Sequence, residues 1–248
     1  MKLPLRRLPL FVAALLAASA IPAALADSAL GRGIEHALDL HRIALGDSGR
    51  YTLEVAAATL YSATQDAVGG ERHWRDALAA AKSPAQRMYA LQMLAENLLV
   101  AGNYDAAIET AQQLLKLSSA EQHAGYRAQA VGFLGRIARR RGELQEAYAF
   151  QQESLRIARA ANRPVDAALA LVNIGTVLRD MGRYSEAMDV QLQALDIRKQ
   201  LGPGNRVDVP YRNIGLLYRE IEDTQSAREY LEKAIAAARD EFDPAALS

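Results

Sequence analysis

"NIGTVLRDMGRYSEAM" runs from Asn173 to Met188, and "NIGLLYREIEDTQSAR" runs from Asn213 to Arg228. Both open on Asn-Ile-Gly, forty residues apart, and both place an arginine four residues after the glycine, Arg179 and Arg219. Stepping by forty from Gly175 gives Ala95, Gly135, Gly175 and Gly215, all small. Twelve residues beyond each stand Ala107, Ala147, Ala187 and Ala227, and seven beyond stand Gly102, Gly142, Gly182 and Glu222. A fixed period of this size with matching columns marks a chain of stacked units.

Each unit reads as a pair of helices. In Asp166–Met181, Leu169, Val172 and Val177 fall around Ile174 at helical spacing. Gly182 then suits a helix end, because glycine accepts the left-handed conformation just past the last turn. A second helix is predicted over about Ser185–Gln200, with Met188, Leu192 and Leu195 beside the small Ala187 and Ala194 on one face. The small reference residue and the recurring alanine are expected where two helices cross closely. The segments Ala160–Asp166 and Leu201–Pro210, rich in Pro, Gly and Asn, are read as loops. One step further back the pattern weakens. Arg50–Gln65 and Glu71–Lys82 read as a degenerate helical pair, with Gly69-Gly70 interrupting the second helix, and Leu30–Leu45 reads as a further helix.

These residues resemble the tetratricopeptide-repeat (TPR) family. The small residue, the glycine seven on, and Tyr184 with Ala187 carry the resemblance, as do "AGNYDAA" at Ala101–Ala107 and "RGELQEA" at Arg141–Ala147. It covers about residues 85–240. The usual unit is about 34 residues, so a forty-residue unit predicts longer helices or longer loops. The period looks most like that of kinesin light chains and of the sensing regions of bacterial membrane-anchored diguanylate cyclases. The resemblance implies an all-α fold: an α-solenoid of antiparallel helix pairs in a right-handed superhelix. It also implies a concave groove lined by the first helix of each pair, taking a protein or peptide and requiring no cofactor.

The register names the candidate groove residues. Four after the reference come Leu99, Arg139, Arg179 and Arg219, and two before it come Met93, Phe133, Asn173 and Asn213. Arg136 and Arg212 are further candidates. Guanidinium pairs bidentately with carboxylate, and an amide bonds both the N–H and the C=O of a peptide backbone. The expected partner is therefore a protein or extended peptide with acidic groups. A structural reading competes, since arginine near a helix C-terminus complements the helix dipole and can pair with an acid on a neighbouring repeat.

The first twenty-six residues read as a secretory signal peptide: Lys2, Arg6 and Arg7, an apolar run from Leu8, then Ala24-Leu25-Ala26. A retained membrane anchor is the alternative. Cleavage after Ala26 would remove three cations and no acid, taking the formal charge from zero to −3. That argues against nonspecific nucleic-acid binding. The expected compartment is the periplasm. No cysteine is present, which excludes disulfides and lipid attachment through a thiol.

The expected organisation is a leader over 1–26, a degenerate helical region over 27–84, repeats over 85–240 and a tail over 241–248. No catalytic residues and no metal site are expected, as His36, His41, His73 and His123 form no recurring ligand pattern. Neither a nucleophile elbow nor a phosphate loop occurs. "GGERHW" at Gly69–Trp74 reads as a turn before a helix, with Trp74 buried. Two other functions compete with a peptide-binding scaffold. One is a sensory module acting with a separate signalling protein. The other is a self-assembling unit, a homodimer through the end formed by the final helix Thr224–Asp240, which carries Tyr230, Leu231, Ala234, Ile235 and Ala238 and is expected to leave some apolar surface open.

Overall fold

A computed structural model describes residues 49–62 and 66–241. The leader, the expected helix Leu30–Leu45, His36, His41 and the tail lie outside the described residues. Ten α-helices and no strand occur among the residues described. They are α1 (49–62), α2 (Ala67–Ala80), α3 (Pro84–Val100), α4 (Tyr104–Leu117), α5 (Ala124–Arg140), α6 (Leu144–Ala160), α7 (Pro164–Asp180), α8 (Tyr184–Gln200), α9 (Asp208–Glu220) and α10 (Thr224–Glu241). A 3-10 turn, Glu121–His123, precedes α5. The fold is an all-α solenoid of TPR type. The chain divides into two compact units between Gln113 and Leu114, within α4.

The period of forty has a direct cause. From α5 to α8 each helix is seventeen residues long, and each connection spans three, 141–143, 161–163 and 181–183. Two such helices and two such turns make one unit. The extra length over an ordinary TPR unit thus lies in helix. Most of Ala160–Asp166, read from sequence as loop, is helical, with Pro164 at the first position of α7, where its missing N–H costs nothing. The connection after α8 is the exception. Residues 201–207 form a longer loop, and α9 has thirteen residues, so the loop has taken the place of the first turn and the register survives.

Three-residue turns need a tight helix stop. Gly102, Gly142 and Gly182 have φ of 77°, 81° and 75°. In the last two turns, Glu143 N–H donates to Ala138 O and Arg183 N–H to Leu178 O, closing the Schellman pattern that satisfies the orphan carbonyls. At the fourth position Glu222 adopts the same conformation at φ 64°, where a β-carbon is strained.

Packing within unit 2 follows the columns. Ala147 and Ala187 are fully buried. Ala147 shares a cluster with Ala138 of α5 and Val177 of α7, and Ala187 with Ile174 of α7 and Leu217 of α9. Ala147 and Ala187 therefore each sit between their own inner helix and the next. Gly135 and Gly175 answer to side chains rather than to a helix backbone, while at Gly215 a β-carbon would meet both Leu231 and the backbone carbonyl of Ala227. A β-carbon on Gly135 would lie 2.5 Å from Gln151 Nε2, and one on Gly175 would lie 2.4 Å from Gln191 Nε2. Both glutamines are fully buried and cross to the inner helix, Gln151 Nε2 donating to Gly132 O (2.8 Å) and Gln191 Nε2 to Val172 O (2.9 Å).

Unit 1 corrects one expectation. Gly69 and Gly70 lie inside α2 rather than interrupting it. Asp66 caps the helix, its Oδ1 accepting from Gly69 N–H at 2.9 Å. A β-carbon on Gly69 would meet Tyr61 at 2.5 Å and one on Gly70 would meet the Asn97 amide at 2.5 Å, so both glycines serve close packing. Trp74 is fully buried, edge-on to Tyr89 of α3 with ring centroids 6.0 Å apart.

Candidate functional site

Short turns make each consecutive helix pair antiparallel, so α5, α7 and α9 run in one direction. Between them, in unit 2, lies a concavity of about 460 Å³. Six of the seven candidate groove residues line it: Arg136 and Arg139 from α5, Asn173 and Arg179 from α7, and Arg212 and Asn213 from α9. No aspartate or glutamate does. Arg219 does not line it. Its side chain is 65% exposed and meets Glu220 at 3.3 Å.

The arginines are held differently. Arg139 Nη1 donates to Asp180 Oδ2 at 2.8 Å, and Arg179 Nη2 donates to the other oxygen, Oδ1, at 3.1 Å. One carboxylate, itself outside the lining, thus fixes guanidinium groups from two adjacent repeats. The side chains are only 23–27% exposed. Pairing with an acid of the neighbouring repeat is therefore real for Arg139, and it coexists with a place on the wall. The dipole argument covers Arg139 and Arg179, which sit in the last turns of their helices. It does not cover Arg136 or Arg212. The Arg136 guanidinium lies over the Phe133 ring, 5.6 Å from its centroid. Arg212 lies in the N-terminal half of α9, where the helix dipole disfavours a cation, and it is exposed. Asp208, one turn earlier, is already held by Arg206 at 3.0 and 3.3 Å. Burial pushes the Asp208 carboxyl up, but hydrogen bonding to Arg206 and its charge, with smaller help from Val209 N–H and Arg212, hold it below the usual range.

Asn213 is buried at 7% exposure and lines the wall, and neither of its amide atoms is among the buried polar atoms left without a partner. Gln151 Oε1 on the same wall is buried and unpaired, but Gln191 Oε1, away from the concavity, is unpaired too. That feature belongs to the repeat and says nothing of a ligand. Apolar lining comes from Leu169 and Leu216, with Val172, Val177 and Val209.

Of the two apolar residues that continue the columns into unit 1, Leu99 is buried and Met93 half-buried. On α10, Ile235 is 55% exposed and Ala234 is buried. Tyr230 packs against Tyr211 and Tyr218, at 6.2 and 5.4 Å between centroids, so it turns inward.

Unit 1 holds a buried pair that sequence spacing did not reveal. His73 Nδ1 lies 2.8 Å from Glu54 Oε2, both fully buried, with Asp76 close by. The far nitrogen, Nε2, faces Arg72 Nη2 at 3.0 Å. An Nδ1–H tautomer donates to Glu54 and accepts from Arg72, which engages both ring nitrogens and explains the cluster as a structural link between α1 and α2.

Residues 93–247 match the family model described as the MalT-like TPR region. The chain belongs to this family. Among solved structures, BtubC (BKLC) from P. vanneervenii is 22% identical over 88% of this chain and 95% of its own, with a TM-score of 0.63. A Rap protein complexed with competence and sporulation factor is 17% identical over 85% of this chain, with a TM-score of 0.72. This chain spans 60% of that one. A kinesin light chain with nearly identical TPR-like repeats, from Podosopora anserina, is 16% identical over 79% and 97% of the two chains, with a TM-score of 0.53. No curated protein matches this sequence. The likenesses establish the fold of this MalT-like TPR region chain, and no helix among its described residues is long and apolar enough to cross a membrane.

Proposed function

We propose that this protein is a non-enzymatic binding scaffold whose concavity, walled by α5, α7 and α9, takes an extended peptide segment bearing acidic groups. The composition of the wall is the observation that carries the reading: four arginines and the amides of Asn173 and Asn213, with no aspartate or glutamate. An amide matches a peptide backbone, which offers both a donor and an acceptor. Guanidinium groups match the acids. The similar Rap structure, which holds competence and sporulation factor, supports the class of function without fixing the partner. The basic start, apolar run and Ala24-Leu25-Ala26 ending of residues 1–26 support work in an exported compartment.

The test is capture from an envelope extract by the chain from Asp27 and by its Arg136→Ala/Arg212→Ala/Asn213→Ala variant, with circular dichroism confirming that both fold. Captured proteins are then titrated directly against each. Binding lost in the triple variant and kept in Arg219→Ala supports the reading. Binding unchanged in the triple variant, or lost equally in Arg219→Ala, refutes it.

A further inference from the structure

Parallel inner helices allow the wall to be read level by level. Six residues before the reference, α7 and α9 carry Leu169 and Val209; two before it, they carry Asn173 and Asn213. Four after it, α5 and α7 carry Arg139 and Arg179, joined through Asp180. At each of these three levels the two wall residues are of one kind, although α5 carries Gln129 and Phe133, outside the lining, at the first two. The chemistry changes along the helix axis, from apolar through amide to cationic. The row of arginines also stops short, because Arg219 leaves the wall. The intervening levels are mixed, with Arg136 beside the cationic level and Arg212 beside the amides.

We infer that the occupant lies across the inner helices rather than along the row of repeats, with a carboxylate at Arg139 and Arg179 and an apolar side chain against Leu169 and Val209. This rests on the peptide-binding reading above and adds its direction and its pattern. From Leu169 to Arg179 is ten helical residues, about 15 Å at roughly 1.5 Å each. An extended chain covers that span in about four to five residues at roughly 3.3 Å each. The recognised element is therefore an acidic residue and a bulky apolar residue about four positions apart, with the backbone between them passing Asn173 and Asn213. Leu169 is 40% exposed, a cost that an apolar side chain would relieve. The Asp180 carboxylate makes the arginine pair a preformed fork, so little ordering remains to be done on binding.

The test uses fluorescein-labelled, capped nonapeptides of serine and glycine carrying one glutamate and one leucine, read by fluorescence anisotropy against the full chain. In two of them the glutamate and leucine are four positions apart, in either order. In a third they are adjacent. One of the spaced peptides is expected to bind at least about tenfold tighter than the adjacent one. Leu169→Ser, an exposed position, should abolish that preference. Arg139→Ala/Arg179→Ala should weaken all three. Equal binding of spaced and adjacent peptides, with the arginine dependence intact, overturns the crosswise direction and leaves the groove reading standing. Absence of binding by every peptide, or binding indifferent to the arginines, overturns both.

Discussion

Replacing Gly175 by alanine adds one methyl group, and its effect on stability should reverse sign with the residue at position 191. On Gly175 the new carbon falls 2.4 Å from Nε2 and 2.9 Å from both Cδ and Cγ of Gln191. Gln191 is fully buried and bonded to Val172 O, so its amide has nowhere to swing without losing that bond. Overpacking of this kind costs about 1–3 kcal/mol. Against it stands the helix preference for alanine over glycine, about 0.5–1 kcal/mol. Gly175→Ala should therefore destabilise by about 1–2 kcal/mol. In a Gln191→Ala background the obstacle is gone, and the same change should stabilise by about 0.5–1 kcal/mol. The chain itself contains this combination: Ala95 and the fully buried Ala111 hold the equivalent positions one register before Gly135 and Gln151. The assay is urea unfolding of the four proteins of the cycle by circular dichroism. Hydrogen exchange on α7 and α8 would accompany it, since solenoids do not always unfold as one unit. If the two changes add within about 0.5 kcal/mol, or Gly175→Ala stabilises in both backgrounds, the glycine does not exist to admit the glutamine.

Three further predictions rest on single features. Glu222→Gly should stabilise by about 0.5–1 kcal/mol: relief of a left-handed β-carbon is worth about 1–2 kcal/mol, less the greater freedom glycine gives the unfolded chain. Thermal melting measures it, with Gly182→Ala expected to move the other way. Asp223, just before α10, accepts from Ser226 N–H at 3.0 Å, and that bond holds its carboxyl below the ordinary range. Its contribution is therefore present above the unfolded value of about 3.9 and lost as pH falls through the lower folded value. Exchange of the first α10 amides should accelerate over that window, and Asp223→Asn, which keeps an acceptor, should flatten the dependence. Asp180→Asn should cost at most about 1 kcal/mol in stability, as a partly exposed pair would. It should nevertheless weaken binding of acidic nonapeptides by loosening Arg139 and Arg179, an effect that Asp180→Glu should partly rescue.

The period, the paired helices and the wall positions of Arg139, Asn173, Arg179 and Asn213 were legible because each belongs to a column of the repeat, and columns survive inspection of a single sequence. The features that escaped are those that pair columns. Gln151 and Gln191 occupy a position filled by alanine in one register and leucine in another, so no column announced them. The bridge at Asp180 joins residues forty-one apart, and its acid looks like an ordinary helix end. Glu54 and His73 meet across two helices of the degenerate region, where no register fixes which side chains face each other. Gly69-Gly70 was misread because two glycines suggest a break by propensity, whereas here burial against Tyr61 and Asn97 decided. Arg219 keeps its column but leaves the wall, its side chain 65% exposed and beside Glu220 of the same helix.

The short start of α9 has an effect on traffic. Where α7 begins at Pro164, the equivalent residue beside it is Gly204, still in the loop, and α9 starts only at Asp208. The first turn of α7 thus lacks a helical neighbour on that side, and Val165 is left 55% exposed one turn before Leu169. The apolar end of the concavity is consequently a doorway. On the proposed reading, a segment seated there would continue outward as part of a longer polypeptide, and recognition would not call for a free chain end.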